Sequence, residues 1–349
     1  MRSTKCNSLF RSSRSKTAST STRRRGSRRL LLLCALAAQP AFGAELLEEC
    51  FGDRLPMTVA QSMPYVVATI GEASGYFLID HGSNYSTIDA AAFAGPAPRP
   101  NAGTLDRFDG FRFFGSWGTV RLTPASHAGI DGLPFRQAGI IGTDFLSTAA
   151  FTIDYAGGGL YRASAARFCS GERLRASGFV ATSTAGYFAN DSQPRAPAPR
   201  QLPAVPIRLG QVAGLGILDP GFADTAFRHS IVINEAYFRE LRGALVRRGL
   251  DVLVIRTAVL SACVPPVRET ALMLKLPPSQ RFEVVAEDGT SAASADDVLI
   301  YARPDGASGC SSIGAADAPL ALVGSSFLID AGRVAFDPFS QHVWLQVEK

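Results

Sequence analysis

Residues 63–82 read MPYVVATIGEASGYFLIDHG, and residues 202–221 read LPAVPIRLGQVAGLGILDPG. Laid over each other without a gap, they share a proline (Pro64, Pro203) and a valine (Val66, Val205). They also share two inner glycines (Gly71 and Gly75, Gly210 and Gly214), an aspartate (Asp80, Asp219) and a closing glycine (Gly82, Gly221). Apolar residues lead into each aspartate. An acid at the end of an apolar strand is costly unless something pairs with it. Two such acids, at matching places in two similar halves, predict that they pair with each other.

The likeness continues downstream. GIIGTDFLSTAAFTIDYAGGGLY at residues 139–161 matches ALVGSSFLIDAGRVAFDPFSQHVWL at residues 321–345. Each places two apolar residues before a glycine (Gly142, Gly324), then Phe-Leu, then a strand ending in aspartate (Asp154, Asp337) and a hairpin with an aromatic strand. β-branched and aromatic residues alternate between frequent Gly and Pro turns, which predicts an all-β protein of two homologous lobes. One short helix is expected in the second lobe, over residues 234–248. Asn234 would cap it, and Tyr237, Phe238, Leu241 and Leu245 would form its apolar face.

The chain has 349 residues and a formal net charge of +5, but the charge is unevenly placed. Residues 1–44 carry ten Lys or Arg and no acid, which leaves 25 basic residues against 30 acidic ones, or −5. A net acidic body argues against nucleic acid as the partner. Residues 1–44 have the parts of a signal peptide: a basic region, the short apolar run LLLLCALAA, and small residues before Glu45. That run is too short to span a bilayer. An ordinary secretory signal is preferred over a twin-arginine signal or a transit peptide. Export to a bacterial periplasm or the extracellular space is expected.

Cys6 and Cys34 would leave with the leader, and Cys50, Cys169, Cys263 and Cys310 would remain. The first two bracket the first copy and the last two lie within the second. In an oxidising compartment this predicts Cys50–Cys169 and Cys263–Cys310, one staple per lobe. Zinc competes for the same cysteines, but no Cys-x-x-Cys pair exists and His127, His229 and His342 show no ligand spacing. No metal or organic cofactor is expected. The proline-rich segment 186–201 reads as a linker between lobes at 45–185 and 202–349. Residues 45–60 read equally as a short pro-segment or a first strand.

With apolar-apolar-Asp-x-Gly in FLIDHGS and GILDPGF, and the paired IIGTDFL and LVGSSFL, the chain resembles two-lobed aspartic proteases of the pepsin and retropepsin superfamily, as a bacterial exported member. The resemblance covers roughly residues 55–348 and implies Asp80 and Asp219 as a catalytic pair in a cleft between the lobes. Two close carboxyls cannot both ionise, so they share a proton; one activates water while the other polarises the scissile carbonyl. Gly82 and Gly221 keep a Cβ out of the way. The resemblance also implies a hairpin flap, for which FGSWG at residues 114–118, with Trp117, is the candidate segment; an ordinary aromatic hairpin packed on the core is an equal reading.

Departures from the family stand beside the acids. His81 and Pro220 replace the usual Thr or Ser, and proline offers neither hydroxyl nor N–H. Ser83 keeps a hydroxyl near Asp80, but Phe222 supplies none near Asp219. His81 either approaches the pair as a cation that stabilises the carboxylates, or points away and hydrogen-bonds the other lobe in place of threonine; the second is preferred. The expected function is an exported, monomeric aspartic endopeptidase acting on extended peptides or unfolded protein. The alternative is a catalytically weak or inactive pseudo-protease that binds peptides in the same cleft. A purely structural β domain would explain neither acid.

Overall fold

In the computed structural model, the described residues are 49–128, 132–184, 202–224, 229–250, 253–262, 267–303, 313 and 317–346. The two copied stretches form matching hairpins. Met63–Ile70 pairs antiparallel with Ala73–Ile79, and Ala204–Leu209 with Val212–Leu218. Each turns on two residues, beginning at Gly71 (φ 58°) and Gly210 (φ 60°), a left-handed conformation that glycine adopts without a Cβ penalty.

Each hairpin then receives a parallel strand from downstream. Gln137–Ile141 lies beside Ala73–Ile79, and Leu320–Val323 beside Val212–Leu218. Ile79 is opposite Ile141, and Leu218 opposite Val323, so both aspartates emerge at equivalent points. Toward the aspartates these strands are buried on both faces; Phe77, Ile79, Ile141, Leu218 and Val323 belong to one continuous buried core.

Mostly β architecture is what the alternating pattern predicted. Among the described residues there are two large sheets, of twelve and nine strands. They do not divide at the linker. The C-terminal hairpin, Arg333–Asp337 with His342–Gln346, joins the sheet of the first half, pairing with Ala150–Asp154 on one side and Phe179–Ser183 on the other. Pairing both edges of this apolar hairpin satisfies backbone groups that would otherwise be left open.

The expected helix runs Glu235–Val246, with Asn234 Oδ1 accepting the Tyr237 N–H at 3.0 Å. Its buried face is Ala236, Tyr237, Leu241 and Leu245, while Phe238 is only partly covered. Further short helices were not expected. Thr143–Leu146 and Ser325–Asp330 follow Gly142 and Gly324, and Gly171–Ala176 follows Cys169. Their few residues give no readable helical period. Among the described residues, no helix is long and apolar enough to cross a membrane.

Cys50 and Cys169 are joined, with Cα atoms 4.9 Å apart. Asp53–Ala60 is a strand of the first sheet, so of the two readings of residues 45–60 the strand is the one observed there. Around the disulfide pack Phe51, Tyr161, Leu174, Phe179 and Trp344. Cys263 and Cys310, the leader and the linker lie outside the described residues. The 119-residue separation of the bridged cysteines makes its loss costly. Replacing both with alanine should lower stability by about 3–5 kcal/mol, read as a fall in the urea midpoint together with a steeper slope from the freed unfolded chain.

Candidate active site

Asp80 and Asp219 meet. Their carboxyls hydrogen-bond each other, and each backs onto the other's glycine. A Cβ built on Gly82 would fall 2.3 Å from Asp219 Oδ2, and one on Gly221 would fall 2.6 Å from Asp80 Cγ. Neither glycine has a left-handed φ; both positions need glycine for space. Gly82→Ala or Gly221→Ala should cost about 1–3 kcal/mol and push the carboxyls apart. A midpoint unchanged from the parent protein would refute that reading.

The backbone holds the two loops in near-mirror fashion. The Asp80 N–H donates to Ile141 O at 3.1 Å and the Asp219 N–H to Val323 O at 2.9 Å. Gly82 N–H donates to Asp80 Oδ1 at 2.7 Å; Gly221 N–H donates to Asp219 Oδ1 at 2.8 Å. Ser83 O accepts the Thr143 N–H at 2.8 Å, and Phe222 O accepts the Ser325 N–H, also at 2.8 Å. Proline and phenylalanine remove hydroxyls from the second loop but leave this main-chain frame intact. The sequence, where backbone donors are invisible, made Asp219 look less supported than it is.

Ser83 is corrected too. Its hydroxyl donates to Tyr85 O at 2.8 Å, not to the Asp80 carboxyl. Each carboxyl accepts the N–H of its own glycine, while the Ser83 and Phe222 N–H groups donate to the main-chain oxygens of Asp80 and Asp219 at 3.4 and 3.3 Å. Burial raises both carboxyls above their ordinary range, and the Asp80 charge raises Asp219 further. Asp219 is 7% exposed and Asp80 is more open. Burial and the mutual contact oppose charging both carboxyls at once, so the two titrate as a pair that shares a proton.

Neither expectation for His81 survives. Its ring reaches the C-terminal hairpin, but by stacking on Phe336 at 3.6 Å and 12° between planes. Neither ring nitrogen has a hydrogen-bond partner. The side chain is wholly buried and burial pushes its pKa down to about 3, so it is no cation for the carboxylates.

Trp117 packs on its own half. Its Nε1–H donates to Phe113 O at 2.6 Å, its ring meets Phe145 edge-on at 4.9 Å, and the Arg162 guanidinium lies over it at 5.2 Å. This is the core-packed aromatic turn, and a covering role for Trp117 has no contact to rest on. The remaining histidines are dispersed. His127 bonds Thr87, His229 bonds Asp330, and His342 bonds Glu287.

Several residues around the pair escaped the sequence reading. Ser86 donates its hydroxyl to Asp144 Oδ1 at 2.6 Å and accepts the Gly142 N–H at 2.9 Å, clamping the first glycine element. Asp144 is the residue where the first copy departs from the second, which has Ser326, and that difference was the available signal. Tyr155 has a buried, unpartnered hydroxyl, and Tyr65 bonds Gln137 Oε1 at 3.2 Å. Burial raises the pKa of both phenols, the charge of Asp219 adding for Tyr155 and that of Asp80 for Tyr65. Both sit on strands or strand ends where an aromatic residue is expected for packing alone.

No protein-family model and no curated protein matches this chain. Among solved structures, it is similar to basic 7S globulin from soybean at 10% identity and TM-score 0.40, over 84% of this chain and 95% of that one. The protein edgp matches at 10% identity and TM-score 0.40, over 84% and 94%. An aspartic proteinase from Irpex lacteus matches at 12% identity and TM-score 0.39, over 85% and 97%. At such scores these likenesses carry no weight for function.

Proposed function

We propose that this protein is an exported aspartic endopeptidase in which Asp80 and Asp219 hydrolyse a peptide bond through an activated water. The observation that carries this reading is the reciprocal contact of the two carboxyls, each pressed against the other's glycine. Ionised Asp80 takes a proton from water as its oxygen attacks the carbonyl carbon. Protonated Asp219 gives its proton to the carbonyl oxygen. As the tetrahedral adduct collapses, the C–N bond breaks, the proton held by Asp80 passes to the leaving nitrogen, and Asp219 recovers a proton from the adduct's hydroxyl. The substrate is an extended peptide or unfolded protein laid between lobes at 45–185 and 202–349, with the chain acting as a monomer. Removal of a leader over residues 1–44 and passage to an oxidising compartment fit the Cys50–Cys169 bridge.

The second reading, a peptide-binding protein without efficient catalysis, is favoured by Pro220 and Phe222, which supply no hydroxyl beside Asp219. Incubation with an unfolded protein at several acidic to neutral pH values separates the two, with a pepstatin-type inhibitor and Asp80→Asn as controls. Cleavage that vanishes with either control supports the enzyme. Peptide binding without Asp80-dependent cleavage supports the binding protein, and the absence of both sinks each.

A further inference from the structure

The site's main departure, His81, sits where a charged ring cannot. Its imidazole is wholly buried face to face on Phe336, with both nitrogens lacking a partner. A neutral ring tolerates that seat as a flat apolar surface; an imidazolium would bring two N–H donors and a charge into it unsatisfied. Phe336 lies in Arg333–Asp337, directly opposite Phe151 in the sheet that both halves share. The residue next to Asp80 is thereby anchored to the junction of the halves. Across from it, Pro220 offers no N–H with which to hold the loop.

We propose that His81 is a positioning residue for Asp80 whose grip requires a neutral ring, so that acid charges the imidazole, unseats it from Phe336 and releases the Asp80 loop. The ionisable groups of the surrounding elements are Asp80 on the same loop and Asp219 against it. On the shared sheet they are Tyr155, Asp337 beside Phe336, and Asp154 paired with Arg333. Burial is the cause that sets the ring's preference. Because the folded-state pKa lies below the unfolded value near 6.5, the unfolded chain takes up the proton first. The contribution is intact above pH 6.5 and is lost progressively as pH falls toward 3. Raised carboxyl pKa values in the aspartate pair act in the opposite direction, so a comparison must isolate His81.

Urea unfolding of the full protein and of His81→Phe between pH 7 and pH 4 does so, since phenylalanine keeps a flat ring on Phe336 without titrating. Relative to the variant, the unfolding constant of the parent should rise roughly 100-fold from pH 7 to pH 4. Identical pH slopes would overturn the proposal. If His81→Phe does not fold, histidine-labelled NMR of the parent decides, with assignments from His127→Gln, His229→Gln and His342→Gln. A His81 ring still neutral at pH 4.5 supports the seat, and one titrating near pH 6.5 overturns it. The consequence for catalysis rests on the peptidase reading: the acid limb of the pH–rate profile should move to lower pH in His81→Phe. A stability difference without cleavage in either protein would sustain the His81 seat and sink the peptidase; cleavage with an unmoved acid limb would sink the positioning role.

Discussion

On the proposed peptidase reading, Asp219→Asn should abolish peptide cleavage, by roughly 1,000-fold or more, while leaving a folded protein that is more stable near neutral pH. The activity loss follows because the shared proton is the reagent: asparagine can neither give it to the carbonyl oxygen nor take it back. Asp80→Asn should lose as much, and the double variant little more, since the two carboxyls act as one unit. The stability gain has its own sign. Both carboxyls have folded pKa values raised above the unfolded value, Asp219 most. Such a group's contribution is fully present below the unfolded pKa and is lost as pH rises from there through the folded pKa. Removing one acid lifts the penalty at neutral pH and leaves little change in strong acid. Thermal or urea unfolding at pH 4 and pH 7 reads the difference directly. A variant equally active, or destabilised at pH 7 more than at pH 4, would contradict the shared-proton arrangement.

Asp154→Ala should cost about 3–5 kcal/mol, the largest stability loss expected from a single substitution away from the aspartate pair. Asp154 is 1% exposed and its Oδ2 accepts from Arg333 Nε at 2.9 Å, across the strand pair that joins the two halves. Its Oδ1 also accepts the Gly157 N–H at 2.7 Å, closing the turn that follows. Alanine removes the carboxylate from a guanidinium that is itself largely buried. The expected result is a lower urea midpoint with an unchanged slope. An exposed ion pair, such as Arg167 with Asp53, should by contrast change stability by less than about 1 kcal/mol when broken.

Local features were legible in the chain. Gly71 and Gly210 were legible as coinciding glycines of the two copies, though not as the turns they make, and Asn234 marked a helix start through its side-chain oxygen. Matching apolar strands placed Asp80 and Asp219 at equivalent ends. Ser83 and His81 were misread for one reason: their partners are Tyr85 O and Phe336, and nothing in their own neighbourhoods names those atoms, while Trp117 took the core-packed reading of the two the sequence left open. Asp219 was judged poorly supported because hydroxyls can be counted in a sequence and backbone N–H groups aimed at a carboxylate cannot.

The amino-acid sequence by itself determined the duplicated apolar stretch, the aspartate at the end of each copy and the glycine beside it, because those depend on periodicity and residue type within a few positions. Only the tertiary structure decided that the carboxyls touch, that main-chain donors stand in for the missing hydroxyls, and that the C-terminal hairpin joins the first half's sheet. It also decided that the His81 ring is buried on Phe336 with its nitrogens unpartnered rather than set beside the carboxylates. Each of those is a matter of burial and of contacts between residues far apart in the chain, which set the charge a side chain can carry.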